Sequence, residues 1–382
     1  MYQKQDEIWL EEVCEKIKQK ITWVSEKSKN KIPYTTVEGI HDDRSDSSID
    51  PDNGIYWWTN GFWAGIMWMM YQETGMQRYA EIARFSEEKM DFCLMDFYGL
   101  HHDVGFMYLP TAVADYRITG NLDSRRRALH AANLLAARFN PVGKFIRAWN
   151  DIGDDDRRGW AIIDCLLNLP LLYWASEETK DPRFKQIAML HTDTVMEYFV
   201  RPDGSVRHIV EFDPNTGMAV RDYGGQGYEE GSSWTRGQAW GMYGFLIGYL
   251  HTEKKEYLNM SKRIAHYFLA NISSDGLIPV DFRQPKEPYW YDDSAASIAV
   301  CGFLELAKIV DEHEKDMYYN GAIALLKALY ENHCDFTENS DCILQKCTGA
   351  YHDQKHEYPI IYGDFFFIEA IFKLMGNGLF IW

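Results

Sequence analysis

The stretch IIDCLLNLPLLYWASEETKDPRFKQIAMLHTDTVMEYF, Ile162 to Phe199, decides the fold. Its first half is apolar on every side, the pattern of a helix surrounded by other helices, and predicts a helix over about 160–177. Thr179-Lys180-Asp181 then interrupts. The second half, about 182–199, gathers its apolar residues on one face and its charges on the other. A turn that short joins antiparallel neighbours, so the stretch is a helical hairpin with an apolar and an amphipathic member.

The same unit recurs in both directions. Helical periodicity runs over roughly 5–27, 58–74, 77–96, 106–119, 122–138, 235–250, 254–271, 292–311, 315–332 and 362–375, with little convincing strand. Glu73-Thr74-Gly75, Thr119-Gly120-Asn121 and Thr252-Glu253-Lys254 are further short turns, each following an apolar helix and preceding a more charged one. Longer segments separate the hairpins: Gly99 to Gly105, Asn140 to Gly159, Arg201 to Ser233 and Ser273 to Asp293. Six hairpins, apolar helices inside and long loops at one end, make an all-α toroid with one funnel mouth. No linker divides residues 1–382, so a single domain is expected. Long loops on a rigid scaffold are where function is expected.

Composition narrows the partners. Lys plus Arg is 39 against 57 Asp plus Glu, a formal charge of −18, which repels nucleic acid and anionic membrane surfaces. No stretch approaches the roughly 20 apolar residues of a membrane span. The N-terminal MYQKQDEIWLEEVCEKIKQK lacks a signal peptide's apolar core, and seven scattered cysteines suit free thiols, so a cytoplasmic location is expected, as monomer or weak homodimer. Cys342, Cys347, His352 and His356 match no usual zinc spacing; neither metal nor cofactor is expected. The polar run His41 to Gly54 reads as a rim loop, and its DPDNG lacks full calcium-ligand spacing. Asp154-Asp155-Asp156 with Arg157-Arg158 reads as a solvated loop. Aromatic residues are 15% of the chain, 13 Trp and 24 Tyr among them, a composition suited to stacking on sugars.

Asp164 is the most informative single position, because all its immediate neighbours are apolar. A lone carboxylate there costs several kcal/mol unless paired or protonated, and desolvation can lift its pKa by up to about 3–5 units. The alternative is a buried Asp that caps a helix or hydrogen-bonds a neighbouring backbone. In LHHDVGF, Leu100 to Phe106, Asp103 stands where a helix N-terminus would cap with it and keep it ionised. Two carboxylates with pKa values pushed apart divide acid and base roles. In the helix over 235–250, Gly237, Gly241, Gly244 and Gly248 predict another helix packed very close. Arg236, Trp240 and Tyr243 share a face, either as carboxylate clamp and stacking platform or as a capping Arg and a core Trp. RPDGSVRH, Arg201 to His208, reads as a small hairpin over the mouth. YGGQGYEEGSSWTR, Tyr223 to Arg236, brings Gln226 to the same place, and no Walker-type Lys follows its glycines.

WTNGFWAG from Trp58, HDVGFMYLP from His102, IIDCLLNLPLLYWAS from Ile162, RPDGSVRHIVEFDPNTG from Arg201, QGYEEGSSWTRGQAWGMYGF from Gln226 and DDSAASIAVCGFLELA from Asp292 together resemble the unsaturated glucuronyl hydrolases of glycoside hydrolase family 88. The resemblance runs in order from about 57 to 370. It implies an (α/α)6 barrel and cofactor-free attack on the 4,5-unsaturated uronic acid that polysaccharide lyases leave at a chain end, with glycosaminoglycan-type disaccharides as substrates. It also implies that Asp164 is the general acid/base and that Asp103 contacts the sugar near the reacting centre. His102, His208, Gln226, Trp234, Arg236, Trp240, Trp149 and Trp57 match the family's substrate contacts, with Arg236 holding the anionic end and Trp240 stacking on the ring. Thr235 stands where the family usually has Ala, and QPKEPYWYDDS departs from its usual Pro-Arg-Asp-Ser. An unsaturated rhamnogalacturonyl hydrolase on the same barrel is the alternative enzyme; a non-catalytic sugar-binding protein is the alternative outside catalysis.

Overall fold

The computed structural model describes residues 4–46 and 54–382. Its helices, in chain order, are α1 (Lys4–Lys27), α2 (Phe62–Thr74), α3 (Gln77–Lys89), α4 (Asp91–Asp96), α5 (Val104–Tyr108), α6 (Ala114–Thr119), α7 (Leu122–Ala137), α8 (Pro170–Thr179), α9 (Pro182–Tyr198), α10 (Thr235–Thr252), α11 (Lys255–Ala270), α12 (Asp293–Ile309), α13 (Glu312–Asn332) and α14 (Ile361–Leu374). A π-helical turn, Leu109–Val113, joins α5 to α6 and absorbs Pro110, which lacks the N–H a regular helix needs.

Burial sorts the helices into two rings. α2, the stretch 104–119, α8, α10, α12 and α14 are buried on most sides; every residue of α10 from Thr235 to Gly248 is inaccessible. α3, α7, α9, α11 and α13 bury one face only. Each inner helix packs on the next, and α14 returns to α2, so the ring closes. An outer helix backs each inner one, and the first helix, α1, lies beside the last, α14, to complete the sixth pair. This is the expected (α/α)6 barrel. Its hairpin turns are tight because the preceding helix ends on a left-handed residue: Gly75 (φ 68°), Gly120 (φ 76°), Lys180 (φ 60°) and Glu253 (φ 58°).

Three expectations are corrected. The helix expected from about 160 starts only at Pro170, whose fixed φ suits a first helical turn; Trp160–Ile162 is a strand and Ile163–Leu167 a 3-10 turn. The helix expected over 77–96 breaks at Met90. The hairpin expected over 201–208 is a tight turn closed by one bridge, Val200 to Val206, and the longer hairpin lies just beyond it. Strands are short: β1 (Thr36–Val37), β2 (Ile40–His41), β3 (Phe139–Asn140), β4 (Phe145–Ile146), β5 (Trp160–Ile162), β6 (Ile209–Phe212) and β7 (Ala219–Tyr223). β5, β6 and β7 form an antiparallel sheet in that order, with Ile162 opposite Ile209. These strands read as loop or helix because each is too short for alternation to register.

The glycine stripe of α10 has an unforeseen partner. A Cβ on Gly244 would lie 2.3 Å from the Leu166 Cβ, and one on Gly241 would lie 3.4 Å from the Ile163 Cδ1. The closest of these approaches comes from the 3-10 turn that carries Asp164, while the expected neighbouring helix is α11, whose Tyr257 lies 3.3 Å from a Cβ on Gly248 and whose Ile264 lies 3.5 Å from one on Gly241. Residues 47–53 of the expected rim loop, with most of DPDNG, lie outside the described residues. Among the described residues no helix is long and apolar enough to cross a membrane.

Candidate active site

The sheet places the first acid. β5 runs directly into the turn bearing Asp164, and β6 begins one residue after His208. The Ile163 N–H donates to the His208 carbonyl at 3.1 Å, so the two side chains flank the last rung of the ladder. The Asp164 side chain keeps 17% of its surface exposed, and its Oδ1 has no protein hydrogen-bond partner among the described residues. Burial pushes its pKa up to about 8; the Asp103 charge adds to that rise and Arg236 opposes it. At neutral pH Asp164 therefore holds a proton.

Asp103 lies at the start of α5, yet its carboxylate does not cap that helix. Oδ1 accepts from the Asn168 Nδ2 at 3.1 Å, while Oδ2 lies 3.1 Å from the His101 Nδ1 and 3.4 Å from the His102 Nε2. Burial is the largest influence and would raise its pKa, but His102, His101 and Asn168 together outweigh it and hold the group below the ordinary carboxylate range. Burial pushes His102 down to about 4, so that ring is neutral at pH 7. Sequence reasoning missed Asn168 and His101. The signal for Asn168 was available: a polar residue one turn after Asp164 in an otherwise apolar run.

His208 is oriented by its backbone neighbours. Its Nδ1 accepts from the Gln226 N–H at 3.0 Å, which puts the proton of the neutral ring on Nε2. Burial, then Arg236, pushes its pKa down to about 3. Gly225 makes the approach possible: its φ is +58°, and a Cβ there would sit 1.9 Å from the His208 Nδ1. The Trp234 ring packs against His208 with centroids 4.2 Å apart and lies under the Arg236 guanidinium at 4.6 Å.

Arg236 and Trp240 depart from their expected roles. Arg236 is 2% exposed, and its fork is already engaged: Nη1 pairs with Asp292 and donates to the Thr348 carbonyl at 2.7 Å, and Nη2 donates to the Gly349 carbonyl and, at 3.2 Å, to the Gln226 Oε1. It is not an open carboxylate clamp in this structure. Asp292, which also caps α12, is the counterion the sequence did not reveal. Because Arg donates only, Gln226 presents its Oε1 to Arg236 and keeps its amide NH2 for another partner. Trp240, one helical turn deeper in the barrel, is 0% exposed and packs on Phe106 at 5.1 Å and Phe366 at 5.5 Å. It is a core ring, not an accessible stacking platform. Trp149 and Trp57 are only half-buried. Trp149 leans on Trp160 at 6.1 Å, and Trp57 meets Tyr34 edge-on at 5.4 Å.

Side chains of types able to hold a cation lie together in two places among the described residues, His101-His102-Asp103 and the more exposed Asp311-His313-Glu314, and nothing marks either group as a metal site. In the first, a cation would compete with the contacts that already fix Asp103. Cys342, His352 and His356 go to separate partners, the His41 ring and the Tyr228 and Tyr351 carbonyls.

Residues 24–370 match the model of Glycosyl Hydrolase Family 88. An unsaturated glucuronyl hydrolase of Bacillus sp. (strain GL1) is 38% identical over 329 residues, which cover 83% of this chain and 86% of the relative. An unsaturated chondroitin disaccharide hydrolase of Streptococcus pyogenes serotype M1 is 34% identical, covering 83% and 80%. The crystal structure of an unsaturated glucuronyl hydrolase from Streptococcus agalactiae aligns with a TM-score of 0.89 at 30% identity, covering 98% of this chain and 94% of that one.

Proposed function

The chain belongs to glycosyl hydrolase family 88, and on that premise we propose that it is an unsaturated glucuronyl hydrolase acting on glycosaminoglycan-type disaccharides that carry a 4,5-unsaturated uronic acid. The observation that carries this reading is a buried carboxyl group, Asp164, whose surroundings push its pKa up to about 8, beside a second carboxyl group, Asp103, held low by His102, His101 and Asn168. Ordinary glycosidases use two carboxyl groups about 5–5.5 or 6.5–9.5 Å apart, one on each side of the scissile bond. Hydration of a vinyl ether needs a single acid that can turn base.

The Asp164 proton goes to C4 of the C4=C5 bond, and positive charge develops at C5 and the ring oxygen. Water adds its oxygen to C5 and returns a proton to Asp164. The resulting hemiketal opens: the bond from C5 to the ring oxygen breaks to leave a ketone at C5, and the hemiacetal freed at C1 expels the partner sugar. Asp103 orients ring hydroxyls and offsets the developing positive charge. The His208 Nε2–H and the Gln226 amide, held by Arg236, face the anionic end of the substrate. The half-buried rings of Trp149 and Trp57 offer the stacking surface, while Trp234 braces His208 and Trp240 supports the floor. The reading takes 1–382 as one catalytic domain working in the cytoplasm as a monomer or weak homodimer.

The test is direct. Purified protein should abolish the ultraviolet absorbance of an unsaturated chondroitin disaccharide, and Asp164→Asn should not. Near-normal turnover by Asp164→Asn would remove the assignment. A panel of unsaturated disaccharides differing only in sulfation identifies the preferred partner sugar.

A further inference from the structure

Asn168 is 0% exposed in the apolar run Leu166-Leu167-Asn168-Leu169-Pro170, an expensive place for an amide unless its bonds are made. Its Nδ2 donates to the Asp103 Oδ1 at 3.1 Å and to the Asp164 carbonyl at 3.2 Å, and its Oδ1 accepts from the Phe106 N–H at 2.8 Å. Every one of these partners belongs to a segment that carries one of the two acids. The fit is close: a Cβ on Gly105 would lie 2.5 Å from the Asn168 Cα and 2.6 Å from its Oδ1. Gly105, two residues after Asp103, is therefore what lets the α5 segment reach Asn168.

We propose that Asn168 is a positioning residue that holds Asp103 as an ionised carboxylate at a fixed place relative to Asp164, keeping the ionised partner and the proton donor distinct. This rests on the vinyl-ether reading above. The charged and titratable groups facing Asp103 are His101 and His102 from its own loop, Asp164 and Cys165 from the 3-10 turn, and Arg138 from the end of α7. The histidines lie against Oδ2, whereas Asn168 serves Oδ1. Without that donor, burial draws a proton onto Asp103 at higher pH.

The test is the pH dependence of kcat/KM on an unsaturated chondroitin disaccharide for Asn168→Ala and Asn168→Asp. The aspartate keeps an acceptor for the Phe106 N–H, so it preserves the local fold if the alanine does not, and it forces two carboxyl groups to share one site. Both variants should lose about 100-fold in kcat/KM, the order expected when a reacting group is displaced by about 1 Å. In both, the acid limb should move to higher pH. A lowered rate at every pH with the acid limb unmoved would mean that Asn168 serves the fold alone and would overturn the proposal. Failure of the parent protein to consume the substrate would instead overturn the reading it rests on.

Discussion

The Nε2 of His208 lies 3.8 Å from the Oδ1 of Asp164, and neither atom has a protein hydrogen-bond partner among the described residues. The gap is too long for a hydrogen bond. The Gln226 N–H fixes the tautomer, so a donor lies beside an acid at a separation that one oxygen could bridge only from the side, within hydrogen-bond distance of both.

The first expectation concerns pH. Asp164 acts only while protonated, and its pKa is pushed up to about 8, so kcat/KM should fall on the alkaline side with a midpoint near that value. His208 stays neutral across the working range because its pKa is pushed down to about 3. Initial rates followed by ultraviolet absorbance check this, and a profile flat to about pH 10 would remove Asp164 as the donor.

Asp164→Asn should also change stability in a pH-dependent way. The folded pKa of about 8 lies above the ordinary 3.8, so the native state keeps a proton that the unfolded state releases. Stability contributed by the acid is intact below about pH 4 and is lost as pH rises toward about 8, at up to about 1.4 kcal/mol per pH unit. Urea unfolding should show stabilisation of Asp164→Asn at pH 7 that vanishes near pH 4; equal gains at both pH values would contradict the linkage.

Arg236→Lys should cost stability as well as activity. The substitution leaves Asp292 buried with a poorer partner and strips donors from the Thr348 and Gly349 carbonyls. Breaking a buried pair of this kind costs about 3–5 kcal/mol, and an ammonium recovers only part of it. A lysine variant as stable as the parent, changed only in KM, would restore the open-clamp role expected from sequence.

Two tryptophans should separate cleanly. Trp149→Ala removes a half-buried ring from the mouth and should raise KM about tenfold with little loss of stability, worth about 1.4 kcal/mol of binding. Trp240→Ala empties a fully buried site and should destabilise by about 3–5 kcal/mol. Steady-state kinetics beside urea titrations decide it; the reverse pattern would return Trp240 to the role of substrate platform.

The barrel was legible because its signal is periodic and long. Apolar helices followed by amphipathic ones recur over the chain, and left-handed residues such as Gly75 and Gly120 end the inner helices where the short turns begin. The strands were not legible: β5 is three residues, and its apolar sequence fits a buried helix equally well until β6 pairs with it. The glycines of α10 announced a close approach, but only the folded chain identifies the approaching segment as the turn around Asp164.

Residue identity alone singled out Asp164, since a carboxylate among apolar neighbours has its desolvation written into the local sequence. Motifs shared with a known family supplied the reaction. Tertiary structure decided what those residues can do, because the partners come from distant segments: Asp292 and the 348–349 backbone occupy Arg236, Asn168 holds Asp103, and Gln226 sets the His208 tautomer. Desolvation follows from short-range composition, whereas hydrogen-bond partners and counterions across 10 to 113 positions of chain are set only when the barrel closes.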